Sequence, residues 1–299
     1  MAAGLVESEN VRMQAGSGEA CAATVYRPTT RADESHPCVV LGAGGTLTRQ
    51  DGIPDYARRI AAAGFAALAF DYRHWGDSDG EPRRLISLPR QLADWRTAVA
   101  HARSLDGIDP DRIATWGMSS GGGHALMTAA ADSRIAAVIA LVPMADGLPF
   151  SLSPPRRRIV WHELRKRLAR RPAGVPAAGP PGSLAFFDEP EALSGFERLA
   201  APNGWRNQMI LAFDSIAPLY RPVRKAARIK GSVMVQLGEQ DTMAPRRAVE
   251  RTAERAQVGE LWRYPIDHFG CFWPGHIDRV AGDQVSFLRR VLAPAGHSG

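Results

Sequence analysis

Short apolar runs alternate along this chain with longer stretches in which apolar residues recur every three or four positions. The short runs predict buried β-strands, and the longer spacing predicts amphipathic helices. This alternation is typical of an α/β protein whose central sheet is mostly parallel and is flanked by helices on both faces. We expect the strands before residue 30 to form an antiparallel edge. The predicted strands are 38–41, 66–71, 112–118, 136–142, 233–237 and 261–264, and the predicted helices are 54–63, 88–103, 122–131, 246–256 and 278–292.

One interval, 144–230, interrupts the alternation. It is rich in proline, glycine and arginine and contains the run RRPAGVPAAGPPGS, which favours irregular structure. We predict that 144–230 is a lid inserted over the carboxyl ends of the strands, and that 1–143 and 231–299 form the core. Its aromatic residues either line an apolar pocket or, as we favour for any one of them, hold the lid to itself and to the core. They are Trp161, Phe186, Phe187, Phe196, Trp205, Phe213 and Tyr220.

The composition suits one domain with a large core, since 45% of the 299 residues are hydrophobic. No apolar run approaches the roughly 20 residues that span a bilayer. The N-terminal stretch also lacks a basic segment followed by a hydrophobic one. We therefore expect a cytoplasmic protein without a membrane span. Cys21, Cys38 and Cys271 lack the paired spacing of a metal site, and we expect them to be reduced packing residues.

The net charge of +6 is unevenly distributed, with arginine and lysine crowded into 156–171 and again into 224–230. The first stretch, PPRRRIVWHELRKRLARRP, suggests nucleic-acid binding, but no recognised nucleic-acid motif accompanies it, and we expect no such partner. The run also fits an exposed amphipathic helix, which we favour over a docking site for an anionic ligand or a carrier protein. The inner face of that helix carries Ile159, Val160, Leu164 and Leu168.

The sequence Gly117-Met118-Ser119-Ser120-Gly121 is a G-x-S-x-G motif between the apolar run RIATW and the helix-like stretch GGHALMTAAAD. In this motif a serine nucleophile occupies a sharp strand-to-helix turn, where bulky neighbours would clash with the adjoining strand and helix. The flanking pattern therefore predicts that Ser119 is the nucleophile of a serine hydrolase.

A serine nucleophile needs a base, and the base needs an acid that fixes its tautomer. Asp241 follows the predicted strand at 233–237, in GEQDTMAP, and His268 follows the last predicted strand, in YPIDHFG. Their order after the serine matches this kind of site, and we predict the triad Ser119, Asp241 and His268. Asp146, Asp267 and Glu239 are weaker candidates for the acid, His276 is a weaker candidate for the base, and His124 is expected to pack near the site or line its pocket.

The oxyanion of the transition state needs backbone N–H donors, each contributing on the order of 3 kcal/mol. One predicted donor is Ser120, directly after the nucleophile. The other comes from the glycine-rich run LGAGGTLT after a strand, where we choose Gly45, with Thr46 as the near alternative.

A further concentrated signal is the segment AFDYRHWGDSDGEPR, in which Asp71 and Arg73 suit a structural ion pair and the following residues suit a turn. His74 and Trp75 lie near the carboxyl end of a strand and are expected to border the pocket. The complete predicted substrate-binding set is Thr46, His74, Trp75, Trp205 and Phe269. No H-E-x-x-H, paired C-x-x-C, P-loop or G-x-G-x-x-G motif occurs, so we expect neither a metal nor a cofactor.

The motifs GMSSGG, FDYRHWGDSDGEPR, GEQDTMAP and DHFG, over about residues 20–292, resemble the α/β-hydrolase superfamily. Within it, DYRHWGDSDG followed by QLADWRTAVAHARSLDGIDPDRIATWGMSSGGGHAL is similar to the branch of dienelactone-hydrolase-like and X-Pro-dipeptidyl-peptidase-like esterases and polyketide acyl transferases. The resemblance implies acyl chemistry through Ser119, Asp241 and His268 without a cofactor. Ala43 departs from the superfamily pattern, in which a histidine often precedes the oxyanion glycine.

The leading functional hypothesis is hydrolysis of an ester, lactone or thioester through an acyl-enzyme on Ser119. The alternative is an acyltransferase or cyclase of polyketide metabolism, which uses the same first half-reaction with an alcohol or amine as the acceptor. A binding module without triad chemistry is a third hypothesis, and peptidase action ranks below small-ester chemistry. The expected partners are a small-molecule acyl substrate and, less directly, an acyl carrier protein or a second copy of the chain.

Overall fold

The computed structural model describes residues 6–16, 18–28, 35–152, 158–159, 161, 165, 174–212, 214 and 217–292. Its central sheet has eight strands in the order β1-β2-β4-β3-β6-β7-β9-β10, and β5 pairs with β8 in a separate small sheet. The strands are β1 Val6–Gln14, β2 Ala20–Pro28, β3 His36–Gly42, β4 Ala66–Phe70, β5 Leu85–Ile86, β6 Ile108–Met118, β7 Ile135–Leu141, β8 Ile210–Leu211, β9 Ser232–Gly238 and β10 Gly259–Tyr264.

The helices of the described ranges alternate with these strands. Three-residue 3₁₀ turns add to them at Ala201–Asn203, Ala217–Leu219, Ala226–Arg228 and Gly270–Phe272. The α-helices are α1 Ile53–Ala62, α2 Leu88–Ser104, α3 Ser120–Ala131, α4 Gly147–Leu152, α5 Ala192–Ala200, α6 Pro222–Lys225, α7 Arg246–Arg255 and α8 Ile277–Val291.

The predicted fold class is confirmed. From β4 to β10 every neighbouring pair in the central sheet is parallel, whereas β1 pairs antiparallel with β2 and β2 pairs antiparallel with β4. The antiparallel edge therefore lies where the sequence analysis placed it, before residue 30. Because the strands from β3 to β10 run in one direction, the loops after β3, β6, β9 and β10 gather at one edge of the sheet.

The sheet separates two apolar cores, because successive side chains of a strand point to opposite faces. Val39 and Leu41 pack on one face with α1 and α8, and Cys38 and Val40 pack on the other with α2, α3 and α7. Strands β4 and β7 are buried along nearly their whole length, which explains their uninterrupted apolar sequences AALAF and IAAVIAL. All three cysteines are free and buried within these cores, as predicted.

The structure differs from the predicted elements mainly at their ends. Strand β6 begins at Ile108 rather than 112, because its pairing with β3 resumes after a register shift. Helix α3 begins at Ser120, two residues earlier than predicted, because Ser119 alone forms the turn out of β6. The β5–β8 sheet was not predicted, since each strand contributes only two residues and their partners are 125 positions apart along the chain (210 − 85).

The described part of 144–230 contributes to both apolar cores. Val175 and Ala177 belong to one core and Phe187 and Phe196 to the other. Ile159, on the predicted inner face of the basic helix, is buried. The rest of that face (Val160, Leu164 and Leu168), most of the basic residues of 156–171 and Phe213 lie outside the described residues.

The boundaries of the lid stay a prediction. Among the residues that the structure describes, no helix combines the length and the apolar character needed to cross a membrane.

Candidate functional site

Ser119 occupies a strained turn between β6 and α3. Its backbone has φ 54° and ψ −122°, a conformation that non-glycine residues rarely adopt and that costs on the order of 1–3 kcal/mol. Three hydrogen bonds hold it there. The Ser119 N–H donates to Leu141 O at 2.9 Å, and Ser119 O accepts from the N–H groups of Gly123 at 3.1 Å and Met144 at 2.8 Å. The surrounding backbone therefore fixes the direction in which the serine side chain leaves the chain.

The glycines of the motif are required by close backbone packing. A Cβ on Gly117 would lie 2.1 Å from Gly121 O, and a Cβ on Gly121 would lie 2.4 Å from Gly42 O. A Cβ on Gly44, in the loop after β3, would lie 2.7 Å from the Ser119 Cβ. Strand, helix and loop therefore meet too closely for any side chain at these positions.

Asp241 and His268 form a hydrogen-bonded pair in the loops after β9 and β10. His268 Nδ1 lies 2.8 Å from Asp241 Oδ2, and the two side chains are only 3% and 1% exposed. The other carboxylate oxygen, Oδ1, accepts from the N–H groups of Met243 at 2.8 Å and Ala244 at 3.0 Å. Because both oxygens are held, the carboxylate presents a fixed face to the imidazole.

The electrostatics of the pair favour its charged forms. Burial alone would lower the pKa of His268, but the Asp241 carboxylate outweighs it and the pKa is raised. Burial alone would raise the pKa of Asp241, but His268 and the two backbone N–H donors outweigh it and the pKa is lowered. Asp241 is therefore an anion that stabilises a protonated His268.

Ser119 lies at the same edge of the sheet as this pair. The ring of Phe196 packs against the loop after β3 and lies 5.1 Å from the Phe269 ring, which in turn lies 5.4 Å from the His268 ring. Ser119 is half-buried, and within the described part of the chain its hydroxyl has no hydrogen-bond partner. Catalytic hydrogen bonds are often long or poorly aligned before substrate binds, so a free Ser119 hydroxyl is compatible with a nucleophile that later hydrogen-bonds to its base.

The weaker acid candidates are engaged elsewhere. Both oxygens of Asp146 bind the Arg221 guanidinium, at 2.8 Å and 2.6 Å. Asp267 accepts two backbone N–H groups of its own turn, at 3.0 Å and 2.6 Å, and Glu239 is exposed. Of these carboxylates and Asp241, all within the described residues, Asp241 is the one hydrogen-bonded to His268.

The two other histidines considered for the site, His124 and His276, do not contact Asp241. His124 is fully buried in α3, where its ring contacts Gln91 Oε1 at 3.1 Å and the Tyr220 hydroxyl at 2.8 Å. Burial lowers its pKa to about 3, so it is neutral and holds α3 against its neighbours. It is thus a buried packing residue of the helix that follows Ser119. His276 is exposed at the start of α8.

The predicted oxyanion donors have different surroundings. Ser120 is the first residue of α3, so its N–H belongs to the free donors of a helix N-terminus. The Gly45 N–H donates to Ser120 Oγ at 2.7 Å and is thus already occupied. The alternative, Thr46, is 1% exposed, and its N–H has no partner among the described residues. A buried N–H without a partner is uncommon, which favours Thr46 as the second donor.

A cavity of about 480 Å³ adjoins the loop after β3. Four of the five predicted substrate-binding residues line it: Thr46, His74, Trp75 and Trp205. Phe269 does not line this cavity. It is 1% exposed and packs between the rings of Phe196 and His268, so it helps to fix the position of the His268 ring.

The aromatic walls of the cavity are held by hydrogen bonds. The Trp75 indole donates to Leu85 O at 2.7 Å, and the Trp205 indole donates to Thr46 Oγ1 at 2.9 Å. Trp205 also stacks on the ring of Phe196, with centroids 5.4 Å apart and planes 2° from parallel. The Trp205–Thr46 bond therefore ties the 144–230 segment to the candidate oxyanion loop.

His74 borders this cavity but has no free ring nitrogen. Its Nδ1 lies 3.1 Å from Pro82 O and its Nε2 lies 3.3 Å from Arg90 Nη1, and burial lowers its pKa. The neutral ring therefore donates from Nδ1 and accepts at Nε2. Its role is to hold the turn that follows β4.

Glu191, at the start of α5, was missed by the sequence analysis. Its carboxylate accepts from the Thr242 N–H at 2.9 Å and from the Thr242 hydroxyl at 2.7 and 2.8 Å, next to Asp241. Glu191 also contributes to the raised pKa of His268. No sequence signal marks it, because the contact joins the 144–230 segment to a loop 51 residues away.

Known proteins are similar to this chain over most of its length. Residues 17–152 match the family model of the X-Pro dipeptidyl-peptidase (S15 family). The chain is 37% identical over 281 residues to the quorum-quenching protein AidA of Acinetobacter baumannii (strain MDR-ZJ06), with 91% of each protein covered. It is 28% identical over 269 residues to the polyketide transferase grgF of a Penicillium species, with 87% of this chain and 88% of the relative covered.

Solved structures show the same architecture. The crystal structure of the α/β hydrolase GrgF from Penicillium sp. sh18 covers 96% of this chain and 99% of its own, with a TM-score of 0.82 at 24% identity. The order of the strands, the strained serine turn and the relatives that cover most of the chain all indicate the same fold. The chain has the α/β-hydrolase fold and belongs to the same family as the quorum-quenching protein AidA.

Proposed function

We propose that this protein is a serine hydrolase that cleaves a carboxylic ester, lactone or thioester through an acyl-enzyme on Ser119. The observation that carries the proposal is the buried His268–Asp241 pair, hydrogen-bonded at 2.8 Å, at the same edge of the sheet as the strained serine. A histidine fixed by a buried carboxylate and a serine on a tight turn are the two parts that acyl transfer needs.

In this proposal each group has one role. The His268 Nδ1–H donates to Asp241, which leaves Nε2 unprotonated to take the proton of Ser119. The serine oxygen then bonds to the acyl carbon, and the carbonyl oxygen becomes an oxyanion facing the N–H groups of Ser120 and of the loop after β3. His268 returns the proton to the leaving group. Water, activated in the same way, releases the acyl group.

Asp241 acts on His268 rather than on substrate. Its charge stabilises the imidazolium that forms in both half-reactions, and its two backbone hydrogen bonds keep the carboxylate oriented. Glu191 holds the neighbouring Thr242, and through it the loop that carries the acid.

The second candidate is acyl transfer or cyclisation, in which an alcohol or amine replaces water. The full-length polyketide transferase relative favours it. The two activities share the acyl-enzyme and differ only in the acceptor, so the fate of the acyl group separates them.

The test is turnover of 4-nitrophenyl acyl esters, lactones and acyl thioesters of graded chain length, with product analysis in the presence and absence of an alcohol acceptor. We expect release of free acid from the wild type and loss of turnover in both Ser119→Ala and His268→Gln. Acyl-alcohol product formed in preference to acid would favour the transferase. Turnover retained in Ser119→Ala would refute both candidates.

A further inference from the structure

Two arginines at the cavity beside the loop after β3 lack a carboxylate partner. The Arg84 guanidinium makes one hydrogen bond, from Nη2 to Gln208 Oε1 at 2.9 Å, and its buried Nε has no partner among the described residues. The Arg206 side chain is exposed and forms no hydrogen bond or ion pair with any described residue. We call the side of the cavity that carries these two arginines its basic wall. A guanidinium carries five N–H donors, so most of the hydrogen-bond donors of this wall are unused.

The two carboxylates that line the same cavity already have hydrogen-bond partners. Asp51 accepts from the N–H and hydroxyl of Thr48 and from Asn203 Nδ2, at 2.7 to 2.8 Å. Asp77 accepts from Arg49 Nη2 at 2.8 Å. Neither carboxylate contacts Arg84 or Arg206. Among the described residues, Arg84 and Arg206 are therefore not paired with a carboxylate, and the lining carries three guanidinium groups against the carboxylates of Asp51 and Asp77.

A third cation strengthens this imbalance. The Arg83 guanidinium donates to three backbone carbonyl groups, those of Ser78, Gly80 and Gly76, and to no carboxylate. It fixes the turn that forms this side of the cavity. The Glu81 carboxylate, which accepts from the Arg83 N–H at 3.0 Å, belongs to the same turn but is not among the residues that line the cavity. An anionic ligand group would complete the electrostatics of the wall.

Backbone strain is concentrated at the same place. Arg84 has φ 65° and His74 has φ 74°, two of the four positive-φ non-glycine residues of the described chain, and Ser119 is a third. The Arg84 N–H donates to His74 O at 2.8 Å, so the two strained residues hold each other. Such conformations persist only where the surroundings enforce them, and they cluster at binding and catalytic sites.

The cavity adjoins the candidate oxyanion loop through Thr46, whereas Ser119 and His268 are not among its lining residues. Trp75 and Trp205 provide flat apolar surfaces, and the Trp205 indole N–H donates a hydrogen bond to the hydroxyl of Thr46 in the candidate oxyanion loop. A volume of about 480 Å³ accommodates a small organic group rather than a lone ion.

We propose that Arg84 and Arg206 form an anion subsite, so that the preferred substrates are acyl compounds with a carboxylate or phosphate remote from the reacting carbonyl. The aromatic walls hold the body of such a substrate, and the guanidinium groups bind its anionic end. This proposal rests on the proposed hydrolase function of the same site. The anion lies either on the acyl chain, as a terminal carboxylate, or on the thiol, as the phosphate of phosphopantetheine.

The experiment compares matched substrates that differ only in charge. The first pair is the mono-4-nitrophenyl ester of suberic acid and its methyl-capped neutral diester. The second pair is acetyl-phosphopantetheine and acetyl-pantetheine. We expect the wild type to prefer the anionic member of at least one pair in kcat/KM, and the pair that shows the preference identifies the source of the anion.

The variants are Arg206→Gln and Arg84→Gln, with Arg251→Gln as the control, because Arg251 is exposed on α7 and outside the cavity lining. We expect each cavity variant to lower kcat/KM for the anionic substrate by about tenfold, to leave the neutral substrate unchanged, and thus to remove the preference. The control should retain it. Arg206 is exposed, so its variant carries the test even if Arg84→Gln fails to fold.

The outcomes separate the two proposals. Turnover of both members of each pair without a charge preference would overturn the anion subsite and leave the hydrolase intact. Absence of turnover for every substrate would count against the hydrolase. In that case, quenching of tryptophan fluorescence by suberate or phosphopantetheine, weakened in Arg206→Gln, still supports the subsite, and absence of quenching overturns it.

Discussion

Replacement of Asp241 by asparagine tests how the structure sets the protonation of His268. The amide is nearly isosteric with the carboxylate, and its oxygen can keep accepting from the N–H groups of Met243 and Ala244. Its NH₂ group then faces His268 Nδ1, which lies 2.8 Å from the replaced oxygen. Since two donors cannot share a hydrogen bond, Nδ1 becomes the acceptor and the proton moves to Nε2. A protonated Nε2 cannot accept the proton of Ser119.

The expected loss is large because both the tautomer and the stabilising charge disappear. The analogous change in a well-characterised serine protease lowers kcat by about 10⁴, and we expect a loss of that order here. This corresponds to about 5.4 kcal/mol of transition-state stabilisation, at 1.36 kcal/mol per factor of ten. The acid limb of the residual activity should also move to lower pH, because the Asp241 carboxylate that raises the pKa of His268 is gone.

The assay is the pH profile of kcat/KM on a short acyl ester, with the melting temperature of each variant measured alongside. Asp111→Asn is the matched control, because Asp111 is a surface carboxylate paired with Arg134. We expect the control to retain activity within about twofold, as surface ion pairs contribute little. A folded Asp241→Asn enzyme with activity within tenfold of the wild type would refute the assignment of Asp241 as the acid.

Two further substitutions and the pH profile of the wild type test other parts of the site. Gly121→Ala places a Cβ 2.4 Å from a backbone carbonyl oxygen and should lower the free energy of unfolding, measured by chemical denaturation, by about 1–3 kcal/mol. The control is Gly282→Ala, whose Cβ would have no atom within 4 Å and should not lower it. Equal stabilities of the two variants would contradict the packing argument. Trp205→Phe removes the 2.9 Å bond to Thr46 and should lower kcat/KM about fivefold, and an unchanged value would show that this bond does not position the oxyanion loop. In the wild type, His268 must be neutral to act as a base, and its pKa is raised above the ordinary value of 6.5. We therefore expect kcat/KM to fall, as the pH is lowered, with a midpoint above 6.5. A midpoint below 6.5 would contradict the coupling of His268 to Asp241.

The sheet and the serine turn were predictable because their signals are local. Fully buried strands such as β4 and β7 need continuous apolar runs, and the glycines around Ser119 are required by contacts between neighbouring elements. Asp241 and His268 were predictable from their positions after successive strands, since the carboxyl ends of parallel strands share one edge.

Features that depend on side-chain rotamers and on the 144–230 segment could not be predicted. The occupation of the Gly45 N–H depends on the orientation of the Ser120 hydroxyl, which no sequence pattern fixes. Glu191 reaches Thr242 only because α5 packs over the catalytic loops. Arg84 and Arg206 lie among many arginines in the sequence, and only the folded chain places them in one cavity without carboxylate partners.

The central claim is that Ser119 is an activated nucleophile. It is tested most directly by treating the protein with a fluorophosphonate probe and locating the adduct by mass spectrometry, with Ser119→Ala and His268→Gln treated in parallel. We predict a single adduct on the peptide that contains Ser119, absent from the Ser119→Ala protein and formed far more slowly in His268→Gln. An adduct at another serine, or no adduct in the folded wild-type protein, would contradict the account.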